Sequence, residues 1–136
     1  MDEINIKLPA KPEYMSVARL TTAAIANRAG FNIDDIEDLK VAVTEAGTYL
    51  INQYSSIPFI TVDYRIQEDF SINIRVRIPE VSETEIKAKE SDENKENELS
   101  LFIIESIVDK VHKDECNGVV RGFSILKTGG GNLNNE

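Results

Sequence analysis

The most regular apolar pattern in this chain lies between Asn32 and Leu50, where the sequence reads NIDDIEDLKVAVTEAGTYL. Apolar side chains recur there at spacings of three and four, which is the period of one helical face; they are Ile36, Leu39, Val43, Ala46 and Leu50. Asn32 can cap this helix, and Asp34 and Asp35 follow it where the positive end of the helix dipole favours carboxylates. The stretch predicts a long helix with one buried face.

The segments before this helix predict a strand and another helix. Residues 3–8 alternate between polar and apolar side chains, which is the period of a strand with one buried face. Pro12 suits the first turn of a helix, and we predict a helix from Pro12 to Ala29. The predicted buried stripe of that helix consists of Tyr14, Val17, Ala18, Thr21 and Ile25.

The segments after it predict four strands and one helix. Residues 60–66 and 70–78 each alternate between apolar and polar side chains and predict a β-hairpin. Residues 99–111 are densely apolar, which favours a half-buried helix. Asn117 and Gly118 are typical of a two-residue turn, and we predict that they join strands at residues 111–116 and 119–126.

This order of elements predicts an α/β fold, a two-layer sandwich of a mostly antiparallel mixed sheet with the helices on one face. A length of 136 residues suits one domain with its own core, and we assign residues 1–128 to it. Residues 79–98 carry eight acidic and three basic side chains and predict a charged, mobile loop. Residues 129–136 predict a disordered tail.

The composition argues against several classes of protein. The formal net charge is -9, with 24 acidic and 15 basic residues, whereas binding to a phosphate backbone needs clustered Lys and Arg. No stretch approaches the roughly 20 apolar residues that cross a bilayer, and the amino terminus does not resemble a signal peptide. The single cysteine, Cys116, fits a reducing compartment. We expect a cytoplasmic protein that binds neither nucleic acid nor membrane directly.

Three stretches carry a resemblance to a known family. Residues 8–21 read LPAKPEYMSVARLT, residues 36–46 read IEDLKVAVTEA, and residues 104–111 read IESIVDKV. Together they resemble the RsbW and SpoIIAB anti-sigma-factor serine kinases. The resemblance implies a histidine-kinase-like ATPase fold that holds ATP under a flexible lid. It also implies a homodimer that sequesters a sigma factor and phosphorylates a serine on an anti-anti-sigma factor.

The first nucleotide motif of that family is Glu-Ala-x-x-Asn, in which the Asn helps to hold magnesium and the Glu can serve as general base. This chain has Glu45 and Ala46, with Tyr49 in place of the Asn. Residues 45 and 49 share a helical face, so Tyr49 is expected to project toward the position of the metal ligand. A phenol is a bulky and poor substitute for that ligand.

The second motif, Asp-x-Gly, reads the adenine amino group, and its counterpart here is Ile78, Pro79 and Glu80. An aliphatic side chain cannot accept a hydrogen bond, and Pro79 lacks a backbone donor. The resemblance therefore implies a pocket that has lost this route of adenine recognition.

The third motif, Gly-x-Gly, cradles phosphates at the start of a helix. Its counterpart is Glu98, Leu99 and Ser100, expected at the start of the third helix. Glu98 places a negative charge where the phosphates belong. Charges a few ångströms apart at low effective dielectric repel by several kcal/mol. We expect no cofactor, and ATP with magnesium only if the protein is an active kinase.

Four further side chains have alternative interpretations. Asn52 lies seven residues after Glu45 and either replaces the missing amide or is an exposed residue at a helix end. Arg19 lies where the family uses an arginine at its partner-binding surface; it either docks on a partner's carboxylate or forms a local salt bridge. His112 and Cys116 are too few ligands for a structural zinc site, so no metal is expected.

The leading hypothesis is a binding module that holds a sigma factor, or its anti-anti-sigma partner, by protein contact and with little or no ATP turnover. The alternative is an active serine kinase of an anti-anti-sigma factor, with Glu45 as its catalytic base. A third possibility is an inactive homologue that competes for the anti-anti-sigma factor without touching a sigma factor.

Overall fold

Five strands and three helices make up the described part of the chain. A computed structural model describes residues 1–54, 56–80 and 93–129, and for residues 93–98 it describes the backbone alone. The strands are β1 (Asp2–Pro9), β2 (Phe59–Ile66), β3 (Ser71–Arg77), β4 (Lys110–Cys116) and β5 (Val119–Thr128). The helices are α1 (Met15–Arg28), preceded by a 3-10 turn at Pro12–Tyr14, α2 (Ile33–Gln53) and α3 (Glu93–Ile107). Among the helices of these described ranges, none combines the length and the hydropathy that a bilayer span requires.

The strands form one sheet in the order β1-β2-β3-β5-β4. Each neighbouring pair is antiparallel, so the predicted α/β two-layer architecture is confirmed, and the sheet has no parallel pair among the described strands. Strand β5 lies between β3 and β4 although it comes last in the sequence. This placement joins the two predicted hairpins into one sheet.

The core lies between the sheet and the helices, with α2 at its centre. Helix α2 packs against α1 on one side and α3 on the other, and it also contacts β3 and β5. Its predicted stripe is confirmed at Leu39, Val43, Ala46 and Leu50, which are fully buried, while Ile36 is partly buried. Burial of such aliphatic side chains stabilises a fold by roughly 1.5–3 kcal/mol each. Asn32 caps the helix as predicted, because its side chain accepts a 2.8 Å hydrogen bond from the N–H of Asp35.

The helix predicted from Pro12 to Ala29 is a 3-10 turn followed by α1, which begins at Met15 and ends at Arg28, and its buried face differs from the predicted one. Its buried residues are Met15, Ala18, Thr22, Ile25 and Ala26. Tyr14 and Val17 were wrongly predicted to be buried, since both are exposed. Thr22, rather than Thr21, faces the sheet and shares a 2.7 Å hydrogen bond with the phenol of Tyr64. The predicted face was thus rotated away from the sheet by part of a turn.

The two hairpins differ in how well their turns could be predicted. Asn117 and Gly118 both have positive φ, 53° and 78°, which is the backbone of the predicted two-residue turn. Phe70 was predicted to begin a strand, but it lies in the turn before β3 with a φ of 63° and is exposed. The alternation of residues 70–78 holds only from residue 71 onward.

Helix α3 begins at Glu93, so the loop prediction was wrong for residues 93–98. These residues are polar and lack apolar periodicity, yet Glu and Lys are good helix formers. The helix ends at Ile107, four residues before the predicted end. Residues 81–92 and 130–136 lie outside the described residues, so the mobile loop and the disordered tail remain predictions there.

Lys127 ties three elements together from the inner face of β5. Its side chain is 10% exposed, and Nζ lies 3.6 Å from carboxylate oxygens of both Asp35 and Asp38 in the first turns of α2. Nζ also donates a 2.7 Å hydrogen bond to the carbonyl of Ile107, the last residue of α3. A cation at this place is favourable because the carboxyl end of a helix is the negative end of its dipole.

Because the phenol of Tyr64 is buried, the fold loses stability at alkaline pH. Burial raises the pKa of Tyr64 from 10.0 to about 12, and the hydrogen bond with Thr22 opposes that rise. Between these two values the unfolded chain loses the proton while the folded chain keeps it. The free energy of unfolding therefore falls as pH rises above 10, by up to about 1.4 kcal/mol per pH unit for this group.

We expect Tyr64→Phe to be less stable than the parent protein at pH 8, by roughly 1 kcal/mol for the lost hydrogen bond. We expect this deficit to shrink as pH rises from 10 to 12, because phenylalanine has no proton to lose. Urea denaturation at several pH values measures both effects. Tyr14→Phe, which removes an exposed phenol, is the matched control. A deficit that stays constant with pH would contradict the assignment.

Candidate functional site

The carboxylate of Glu45 on α2 is held by a serine of α3. Ser100 Oγ donates a 3.0 Å hydrogen bond to Glu45 Oε1, across a sequence separation of 55 residues. Both side chains are half-buried. The structure thus brings together one residue of the first motif and one of the third, and their contact joins α2 directly to α3.

The third motif lies inside a helix rather than at its start. Because α3 begins at Glu93, the amides of Glu98, Leu99 and Ser100 fall where helical N–H groups bond to the carbonyl four residues earlier. Helix amides that are free for an anion are confined to the first turn. The expectation that these residues open the third helix was therefore wrong. The side chain of Glu98 lies outside the described residues.

Tyr49 is part of the core. It is 8% exposed, and its ring meets that of Phe123 edge to face, with centroids 5.1 Å apart. Burial raises the pKa of Tyr49, and the negative charge of Glu115 raises it further. Tyr54, the residue directly after α2, donates a 2.7 Å hydrogen bond to the carbonyl of Val120. These aromatic side chains fasten the carboxyl-terminal half of α2 to β5.

The second motif follows directly after β3. Ile78 is 5% exposed, and its N–H donates a 2.9 Å hydrogen bond to the carbonyl of Arg121 on β5. Pro79 is half-buried and Glu80 is exposed. Asn52 is also exposed, one residue before the end of α2. Ile78 therefore joins the core, whereas Glu80 and Asn52 face solvent.

Arg19 and Glu45 line the same groove, which lies between α1 and α2. Its volume is about 260 Å³, and its lining consists of Arg19, Glu37, Lys40, Val41, Thr44 and Glu45. Lys40 pairs with Glu37 at 2.9 Å, and the Thr44 hydroxyl donates to the carbonyl of Lys40. Arg19 is half-buried and makes no hydrogen bond or ion pair with any residue in the described ranges.

The sequence identifies Arg19 and Glu45 as separate candidates, but not the side chains that line the groove with them. Lys40 and Thr44 lie one helical turn apart on α2, so their common face could have been predicted from spacing. Phe123 lies in the strand predicted for residues 119–126, but its contact with Tyr49 depends on how β5 enters the sheet. His112 and Cys116 lie on β4, and the described part of the chain holds no group of three side chains suited to a metal ion.

Comparison with known proteins shows a shared fold and family. A crystal structure of the RsbU and RsbW domains of a Mycobacterium tuberculosis protein matches with a TM-score of 0.67 and 15% sequence identity. The match covers 93% of this chain and 32% of that chain, and at this identity it shows the fold alone. The family of histidine kinase-like ATPase domains matches residues 8–121. The class is therefore that of a histidine-kinase-like ATPase domain.

Proteins with similar sequences identify the family within this class. The serine-protein kinase RsbW of Listeria innocua is 37% identical over 142 residues, which cover 93% of this chain and 86% of the relative. The RsbW of Bacillus cereus is 36% identical over 141 residues, with 93% and 84% covered. The chain belongs to the RsbW family, as the sequence resemblance predicted.

The side chains present do not fit ATP and magnesium in the manner of the family's motifs. The ring of Tyr49 packs on Phe123, and a buried phenol is not among the oxygen ligands that magnesium prefers. Ile78 offers no acceptor for adenine, and its N–H is already bonded to Arg121. The amides of the third motif lie within a helix. Tyr49 and Ile78 are thus buried in the core, and the third motif lies within α3.

We expect Tyr49→Asn, which restores the family's amide, to destabilise the domain by about 3 kcal/mol, because it removes a buried ring and leaves a cavity against Phe123. Tyr49→Phe keeps the ring and should change the free energy of unfolding by less than about 1 kcal/mol. Urea denaturation of both variants measures the difference. Equal stability of the two variants would show that Tyr49 does not serve the core.

Proposed function

We propose that this protein is a binding module that sequesters an RNA polymerase sigma factor by protein contact, without using ATP. The proposal rests on two observations taken together. Arg19 is unpaired among the described residues, and the motif residues Tyr49 and Ile78 are buried in the core. Arg19 has no partner among the described residues, and its planar donor fork suits a carboxylate on another protein. The protein would inhibit the bound sigma factor by steric occlusion.

The surface around Arg19 has the character of an interface. Leu20 follows it on α1 and is 70% exposed, and Val41 lines the groove and is 42% exposed. Exposed apolar side chains that lie together can mark an interaction surface, and arginine is among the residues that contribute most of the binding energy at interfaces. A sigma factor with an acidic side chain flanked by apolar residues fits this surface.

A homodimer is part of the same proposal. A second groove, of about 780 Å³, lies between α1 and the edge strand β1. Its apolar residues include Met1 and Ile4, which are exposed. An edge strand with apolar neighbours favours pairing with another chain, and a second copy of this protein would cover it.

The alternative function is that of an active serine kinase of an anti-anti-sigma factor. It is favoured by the retention of Glu45 and by relatives that are named serine-protein kinases. Calorimetric titration with magnesium ATP and ADP separates the two functions. Absence of binding heat at millimolar nucleotide would support the binding module. Micromolar affinity for the nucleotide would favour the kinase instead.

The binding module predicts a stable complex with one sigma factor of the source organism. We expect co-expression with each sigma factor in turn to yield one complex that co-purifies equally well with and without magnesium ATP. Arg19→Glu should weaken that complex at least about thirtyfold, since breaking a buried, hydrogen-bonded charge pair in an interface costs about 2 kcal/mol or more. Light scattering of the complex gives the number of copies.

Lys110→Glu is the matched control, because it reverses an exposed charge on the far edge strand β4. It should leave the affinity unchanged. Binding to an anti-anti-sigma factor alone would replace the proposal with that of a competitor for this partner. Failure to bind either class of protein would overturn it.

A further inference from the structure

We propose that Glu45 and Ser100 form a latch that holds α3 against α2 in the absence of any nucleotide. In this assignment Glu45 is a positioning residue and not a general base. The inference rests on the proposed function, since it explains how a domain that does not use ATP keeps its third helix in place. The latch is defined as the hydrogen bond from Ser100 Oγ to Glu45 Oε1.

The contact pairs a hydroxyl donor with a carboxyl acceptor, at the long end of the distance range of such hydrogen bonds. The two oxygens are 3.0 Å apart, and the pair is partly shielded from solvent. A hydrogen bond to an ionised carboxylate is roughly twice as strong as one between neutral groups. It joins residues 55 positions apart on two helices that pack along each other, so it constrains tertiary structure and not local helix geometry.

Ser100 reaches α2 through its hydroxyl and not through its backbone N–H. Because α3 begins at Glu93, the N–H of Ser100 is in a helical position and faces along the helix axis. Ile104 lies one turn further on the same face and is fully buried. Ser100 therefore continues the inward face of α3 with a polar group, for which Glu45 supplies the acceptor.

A second tie acts at the other end of the helix. Lys127 on β5 donates a hydrogen bond to the carbonyl of Ile107, where α3 ends. Together, Ser100 and Lys127 fix the orientation of α3 at two points about two turns apart. Both ties come from side chains of this chain, so the described helix needs no ligand to define its orientation.

The latch determines which face of α3 meets solvent. With Ser100 and Ile104 turned inward, Leu99 and Phe102 lie on the opposite face, where they are 57% and 65% exposed. Loss of the latch would let the amino-terminal half of α3 detach while Lys127 still holds its end. Exchange of backbone amides with deuterated solvent reports such local opening.

Hydrogen–deuterium exchange on the full chain tests the latch through Ser100→Ala, Glu45→Ala and the double variant. We expect each single variant to raise the exchange rate of amides in residues 99–104 about tenfold, with amides of the β2–β3 pair unchanged. The double variant should match the single variants, because both substitutions remove the same bond. Ser100→Thr keeps a hydroxyl and should retain the slow exchange of the parent.

Matched controls lie on the same two helices. Ser106→Ala removes a hydroxyl that bonds to the carbonyl of Ile103 within α3, and Glu37→Ala removes a carboxylate paired with Lys40 on α2. Neither should change exchange in residues 99–104. Additive effects in the double variant, or parent-like exchange in both single variants, would overturn the latch.

Repeating the exchange with millimolar magnesium ATP separates the latch from the proposed function. Slower exchange in α3 of the parent upon addition of nucleotide would overturn the ATP-independent function, whatever the variants do. If nucleotide has no effect and the sigma factor still binds, parent-like exchange in the variants would overturn the latch and leave the proposed function standing.

Discussion

The burial of α2 between the sheet and the other two helices is the constraint on which the rest of the structure depends. Its fully buried stripe, from Leu39 to Leu50, fixes the rotation of the helix about its axis. That rotation turns Glu45 toward α3, Tyr49 toward β5 and Lys40 toward α1. One amphipathic helix therefore sets the geometry of both the motif residues and the groove that holds Arg19.

Much of the fold could be predicted because local signals and burial agree. The cap at Asn32, the stripe of α2 and the turn at Asn117 and Gly118 each combine a local preference with the correct period, and all were confirmed. The start of α3 could not be predicted, because residues 93–98 have helix-forming side chains without an apolar period. The face of α1 was misplaced because alternative stripes share apolar residues, and tertiary packing selects among them.

The candidate site was predictable in its residues but not in its contacts. The sequence placed Glu45, Tyr49, Ile78 and Ser100 at the family's nucleotide motifs, and their departures from those motifs were visible at once. That Tyr49 and Ile78 would serve the core, and that Ser100 would bond to Glu45, depends on the distances between elements. Spacing along the chain carries no information about such distances. A motif position in this fold can thus keep its place while its side chain takes on packing or hydrogen bonding within the domain.

The position of β5 between β3 and β4 has a consequence for the synthesis of the chain. Strand β3 emerges from the ribosome about 40 residues before its partner β5, and until then its outer edge has unpaired N–H and C=O groups. Such an edge on a nascent chain is a template for pairing with other chains, and long-range pairing is slow to form. The nascent chain therefore presents, until β5 has been made, a pairing edge that the finished sheet does not expose.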